Sequence, residues 1–243
     1  MRAFGQDRAT LSRTKDFEES SPPTALWLRE AGRRIRLHWV FKMVGTAVCM
    51  TSFFVAYFWL LNHSRLPITT VPRIFLDDLV PFQPLALPLY VSIWIYVPLA
   101  PALMQERREL WSYAAAVFVV SLVGFAVFLL WPTTVPKPDI DWARHPSVSY
   151  LKAVDASGNA FPSLHVAFAV FTAVWFRRLL REMGAGAGVL ALNWLWCLGI
   201  IYSTLAIRQH VALDAIAGVV LGAAGALAHL RLLDALRPGP EEK

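Results

Sequence analysis

Six stretches of this chain are apolar over lengths suited to crossing a bilayer. They run at about 39–61, 84–104, 111–131, 162–180, 189–207 and 211–230. At 1.5 Å per residue, about 20 apolar residues cover a hydrocarbon layer of ~30 Å. The pattern predicts an all-α polytopic membrane protein with six transmembrane helices, 39–230 forming one membrane domain. The second run contains Pro88, Pro98 and Pro101 and is expected to kink or break, because proline removes a helical donor. Trp39, Trp59, Trp111 and Trp131 sit near the ends of the first and third runs, as interfacial aromatics do. Only Arg208-Gln209-His210 separates the fifth run from the sixth, which predicts an antiparallel hairpin.

The flanks differ from the runs. Residues 1–24 mix Ser, Thr, Pro and charges without apolar periodicity. They are expected to be a disordered cytoplasmic tail rather than a signal peptide. Residues 25–38 interleave Leu26, Trp27, Ile35 and Leu37 with Arg29, Arg33, Arg34 and Arg36. That juxtamembrane segment suits either a basic amphipathic helix on an anionic leaflet or a plain basic stop before the first span. Residues 231–243 are read as a second cytoplasmic tail.

Charge fixes the expected orientation. With the N-terminus inside, only Arg65, Arg73, Lys137, Arg144, Lys152 and Arg208 of the 23 lysines and arginines fall outside. Such a bias places both termini in the cytoplasm. The fourth and sixth spans then both start outside, so His165 and His210 share one membrane face. The 56% hydrophobic and 16% charged composition agrees with a membrane chain. The net charge of +6 lies mainly in segments flanking the runs, and no basic-aromatic groove pattern for nucleic acid is present. Cys49 and Cys197 lie inside apolar runs and read as small packing residues rather than a disulfide.

The chemistry-bearing residues stand where apolar runs begin. Phe161-Pro162-Ser163-Leu164-His165 opens the fourth run and Arg208-Gln209-His210-Val211-Ala212-Leu213-Asp214 the sixth. Ionisable groups are costly in a bilayer, so their presence there is a functional hypothesis by default. His210 and Asp214, four apart on a helix, share one face. The carboxylate can hold one ring nitrogen and leave the other as a nucleophile or base. Pro162 suits a first helical turn, and Ser163 with the amides beside it faces the positive end of the helix, an anion site. His165 is then placed to protonate a leaving alkoxide. Small residues continue below both motifs: Asp214, Gly218, Gly222 beneath His210, and Ala169, Ala173 beneath His165. Spans four and six are expected to pack through these stripes.

Phe161-Pro162-Ser163-Leu164-His165 followed by His210-x-x-x-Asp214 resembles the type 2 phosphatidic acid phosphatase superfamily. The Leu between Ser163 and His165 looks like its branch related to inositol phosphorylceramide synthases, which are inositolphosphotransferases. The resemblance covers about 111–230, the expected catalytic half. It implies that His210 attacks phosphorus and forms a phosphohistidine, that Asp214 orients it, and that His165 protonates the leaving group. Water would then complete a phosphatase reaction; an acceptor alcohol such as inositol would complete a phosphotransferase or headgroup-transferase reaction. Thr204 stands where the family's third motif has Arg, and Arg208 lies one turn later. Lys137 and Arg144 have the spacing of the first motif, although His145 intervenes before Pro146. Ser163, Arg208, Lys137 and Arg144 are therefore the candidate phosphate-binding set. The partners expected are a lipid phosphate or phospholipid substrate and the membrane. The expected location is the plasma membrane, multi-pass, with the site outside the cytoplasm.

Blander readings stand beside this one. His145 reads as a loop residue, His38, His63 and His229 as interfacial, and Asn193 as an interhelical hydrogen bond. Two histidines and a carboxylate could bind zinc, but no HExxH pattern occurs and Ser163 with Arg208 suits an anion, so no metal or other cofactor is expected. A transporter or scaffold would place polar groups at the midplane of broken helices, whereas here they lie at one face. The 132–161 loop, with Asp139, Asp141, Lys152 and Asp155 besides its candidates, and the 62–83 loop, with Asp77 and Asp78, could cap the site.

Overall fold

The computed structural model describes residues 23–63, 66–154 and 159–236. Most of the N-terminal tail, Asp155 and the last part of the C-terminal tail lie outside the described residues. Seven longer helices dominate. They are α1 (Pro23–Arg36), α2 (Trp39–Asn62), α5 (Ile93–Leu103), α6 (Arg107–Leu130), α8 (Leu164–Glu182), α9 (Ala187–Ala206) and α10 (Ala212–Ala235). Between them lie three shorter ones: α3 (Phe75–Leu79), α4 (Leu87–Val91) and α7 (Pro146–Val154).

Among the described residues, five spans are long and apolar enough to cross a membrane: α2, Pro84–Leu103, α6, α9 and α10. The protein is an integral, multi-pass membrane protein. The predicted fourth span, α8, is not among the five. Its last two turns carry Arg177, Arg178, Arg181 and Glu182. It is instead the central helix, with Val166, Ala167, Phe171, Ala173, Trp175, Leu179 and Leu180 buried against its neighbours. A helix surrounded by other helices meets protein rather than lipid, so uninterrupted apolar character is not demanded of it. The second predicted span is broken as expected. A 3-10 turn at Pro84–Ala86 leads into α4, and the helix restarts after Ser92, whose Oγ donates to the Leu89 carbonyl at 2.6 Å.

Helix α8 packs most extensively on α10, then on α9 and α5. The α10 side of the predicted stripe is correct. A Cβ on Gly218 would strike the Ser163 carbonyl, and one on Gly222 the Ala167 carbonyl. Missing side chains thus let the two backbones touch. On the α8 side, the two glycines meet Val166 and Ala167, and Ala169 and Ala173 share a buried cluster with Ala215 of α10 as well as with Ile93, Tyr96, Cys197 and Ile200 of α5 and α9. Asn193 makes the expected interhelical bonds, donating to the Ala173 carbonyl at 3.0 Å and accepting from the Tyr96 hydroxyl at 2.6 Å.

Two other expectations change. His229 is buried between helices rather than interfacial: its Nε2 meets Ser112 Oγ at 2.8 Å and its ring lies 5.1 Å from that of Trp175. Cys49 is exposed on the outside of the bundle, whereas Cys197 is buried, and both are free thiols.

Two loops knit one end of the bundle together. Strand β1 (Thr69–Thr70) pairs in parallel with β2 (Thr133–Thr134), and Thr133 also bridges Asn159. The segment after α2 is thereby tied to the segment after α6, and that in turn to the approach to α8.

Candidate functional site

Both motifs lie at this knitted end. Ser163 is the N-cap of α8, and its hydroxyl accepts from the Val166 amide at 3.3 Å. A serine in this role satisfies one of the amides that a helix start leaves unpaired. Upstream, the fully buried Thr133 holds the motif: its Oγ1 accepts from the Phe161 amide at 2.8 Å and its carbonyl from the Ala160 amide at 3.2 Å. The Phe161–Pro162 peptide is cis.

The second motif begins with a tight turn. The amides of Gln209 and His210 both bond back to the Thr204 carbonyl, at 3.0 and 3.2 Å, and Arg208 adopts φ +61°. Left-handed φ is uncommon for a residue with a Cβ and marks a chain held by its surroundings. His210 therefore emerges just before α10. Its Nδ1 lies 3.4 Å from Asp214 Oδ2, and that same oxygen accepts from the Val211 amide at 3.1 Å. The predicted one-turn pairing is present, with Asp214 fully buried and His210 nearly so.

A backbone bond joins the two motifs. The Ser163 amide donates to the Asp214 carbonyl at 3.0 Å, where Gly218 permits the close crossing. His165, in the first turn of α8, lies within electrostatic reach of His210. Its ring stacks on Tyr90 with centroids 4.0 Å apart and planes 10° apart, which fixes its orientation. His165 Nε2, Asp214 Oδ1 and Gln209 Nε2 are buried without a hydrogen-bond partner in the protein. Orphaned buried polar atoms are uncommon; these three belong to the two motifs, and Tyr113 Oη, Thr172 Oγ1, Trp175 Nε1 and His229 Nδ1 are likewise unpartnered elsewhere among the described residues.

The predicted cations divide. Arg208 Nη1 donates to the Asp77 carbonyl at 3.2 Å. Burial and then the nearby Arg73 guanidinium lower its pKa from the usual arginine value, while Asp77 and Asp78 act to raise it. Arg73 reaches the same Asp77 carbonyl at 3.5 Å and pairs with Asp78 at 2.6 Å. Lys137 and Arg144 are exposed on the segment between α6 and α8, and Arg144 Nε lies 3.1 Å from Asp141 Oδ2. His145 is a loop residue, edge-on to Phe82. Among the described residues no cluster of three or more His, Cys, Asp or Glu side chains has metal-site form.

Three residues at this site were not singled out by sequence: Thr133, Tyr90 and, in its actual role, Asp77. Thr133 and Tyr90 carry no spacing signal. Asp77 was visible only as one acidic residue in a loop.

The bundle and site define a class: a multi-pass membrane protein with a buried histidine–carboxylate pair and a second histidine at the same end. The family model described as the PAP2 superfamily matches residues 108–238, more than half of the chain, and the chain belongs to that superfamily. Its members are phosphatases or phosphotransferases, and a membrane-embedded member implies a lipid phosphate substrate. No curated protein and no solved structure matches the chain.

Proposed function

We propose that the protein cleaves a phosphoric ester or anhydride of a lipid phosphate through a phosphohistidine, at a site facing outside the cytoplasm. The observation that carries this reading is the joining of the two motifs at Asp214. Its carboxylate meets His210 Nδ1, and its carbonyl accepts from Ser163. With a proton on Nδ1 directed at the carboxylate, Nε2 of His210 keeps a lone pair and is the nucleophile. It attacks phosphorus as the bond to the leaving oxygen breaks. His165 Nε2 gives its proton to that oxygen. Water, or an acceptor alcohol, then attacks phosphorus as His165 Nε2 takes its proton, the P–N bond breaks, and both histidines are restored.

Phosphate charge is met by the first-turn amides of α8 beside Ser163, by Arg208, and by Lys137 and Arg144 as substrate approaches. The chemistry needs no metal. In this reading α8 also crosses the membrane, as the fourth of six spans, and both termini are cytoplasmic, as the bias of basic residues indicates. Leu164, between Ser163 and His165, supports the inositol phosphorylceramide synthase-like branch, in which the acceptor is an alcohol and a headgroup is transferred.

The test is phosphate release by the purified protein in detergent, from a panel of lipid phosphates with EDTA present, beside His210→Ala and His165→Ala. Release that is metal-independent and lost in both variants is expected for the phosphatase. Absence of release, together with incorporation of added labelled inositol when a phospholipid donor is present, would instead favour the synthase reading. Release that persists in both variants would remove these histidines from the chemistry.

A further inference from the structure

Helix α10 starts without a side-chain cap of its own. Its N-cap is Val211, which has no acceptor, yet the first-turn amides are buried with Val211 and Ala212. The group that meets the Ala212 amide comes from 135 residues away: Asp77 Oδ1, at 2.7 Å. Its other oxygen accepts from the Ile74 amide at 2.8 Å, so both oxygens are committed to backbone N–H groups. The Asp77 side chain is buried, in a loop otherwise exposed at Leu76, Asp78 and Leu79. Two further bonds tie the same loop to the α9–α10 hairpin: the Gln83 amide to the Ala206 carbonyl at 2.9 Å, and Arg208 Nη1 to the Asp77 carbonyl. Asp77 lies outside the part of the chain matched to the superfamily.

We infer that Asp77 is a positioning residue: as a remote N-cap of α10 it fixes the turn that presents His210. Two carboxylates divide the start of this helix. Asp214 takes the Val211 amide and the imidazole; Asp77 takes the next amide, Ala212. An unpaired amide at a buried helix start would be met by water or by movement of the turn, and His210 moves with it. Its Nδ1 contact, at 3.4 Å, has little length to spare before it ceases to orient the ring. The loop before the second span is in this way a part of the active site that touches no substrate.

This inference rests on His210 being the nucleophile, and the test separates the two. Asp77→Ala, Asp77→Asn, Asp78→Ala and His210→Ala are compared for kcat, KM and amide hydrogen exchange over 208–214. Asp77→Ala is expected to speed exchange there and to lower kcat by about 10- to 100-fold, the cost of a small misplacement, with KM little changed. Asp77→Asn keeps one oxygen, which can still meet the Ala212 amide while the acceptor for Ile74 is lost, so it is expected to recover most of both readings. Asp78→Ala removes the loop's exposed ion pair with Arg73 but not the cap, and leaves both readings unchanged. Equal losses in Asp77→Ala and Asp78→Ala would make loop stability the cause and overturn the inference. So would faster exchange with unchanged kcat. Should Asp77→Ala fail to accumulate, Asp77→Asn decides: slow turnover with intact exchange protection would overturn the capping role. Activity surviving in His210→Ala would overturn the nucleophile assignment itself, whatever exchange shows.

Discussion

The two ends of the bundle handle buried charge in opposite ways. At the end opposite the motifs, Arg34 of α1 meets Glu30 at 2.8 Å and Glu182 of α8 at 3.6 Å. Lys42 at the start of α2 donates to the Arg34 carbonyl at 2.6 Å and the Ala102 carbonyl at 2.8 Å. Ala102 lies in the last turn of α5, where carbonyls have no helical partner and a cation is favoured. These two charges are used up in holding α1, α2, α5 and α8 together. At the motif end, His165 Nε2 and Asp214 Oδ1 are buried and unpartnered. Unmet polar atoms cost stability, and Tyr113 Oη, Thr172 Oγ1, Trp175 Nε1 and His229 Nδ1 are also buried without a partner away from the motifs; what sets the motif end apart is an unmet carboxylate oxygen, that of Asp214, in a motif with a histidine.

The sharpest way to break this comparison is Asp214→Asn. One oxygen, Oδ2, serves both the Val211 amide and His210 Nδ1, so a carboxamide can keep its oxygen there and leave the start of α10 intact. What is lost is the negative charge that holds the proton on Nδ1 and stabilises the positive imidazole ring formed when Nε2 attacks, and kcat is expected to fall by about 1000-fold with the fold intact. A loss under about tenfold would mean that Asp214 matters chiefly as a cap.

Lys42→Met reverses the expectation. It removes the donors to two buried carbonyls and is expected to cost about 1–3 kcal/mol of stability. Turnover per folded molecule should not change. Reduced kcat without reduced thermal stability would show that the two ends are coupled, and the division drawn between them would fail.

The sequence made one of these ends far more legible than the other, and neither completely. Apolar runs marked the helices because lipid demands continuous apolar length, and the prolines marked the break before α5. The His210–Asp214 pairing was readable because four residues make one helical turn. Beyond local spacing, legibility ended. Spacing put Ala169 and Ala173 on one face of α8 but did not show that α5 and α9 share that face with α10, because periodicity gives a face but not the rotation of the helix against its partners. α8 fell short as a membrane span by composition because burial inside the bundle relieves it of contact with lipid. Asp77 and Ala212 meet only after α2 through α9 are in place, and Thr133 acts through an ordinary hydroxyl that no motif distinguishes.

The smallest predicted effect concerns the candidates that remain at the rim. Arg144 and Asp141 expose 81% and 62% of their side chains, so their ion pair contributes about 0–1 kcal/mol and its loss should not be visible in thermal stability. If Arg144 also draws in substrate phosphate, Arg144→Ala raises KM by about threefold to tenfold without changing kcat, because the contact is made equally in ground and transition states. Salt should shrink that difference, since exposed charges are screened. Asp141→Ala then supplies the deciding sign. It frees Arg144 from a competing carboxylate and should lower KM, whereas Arg144→Ala raises it. Two variants that break the same ion pair can move KM in opposite directions only if one partner has a second anion to bind. The same direction in both would assign the effect to loop structure, and no change in either would leave Arg144 as the partner of Asp141 and nothing more.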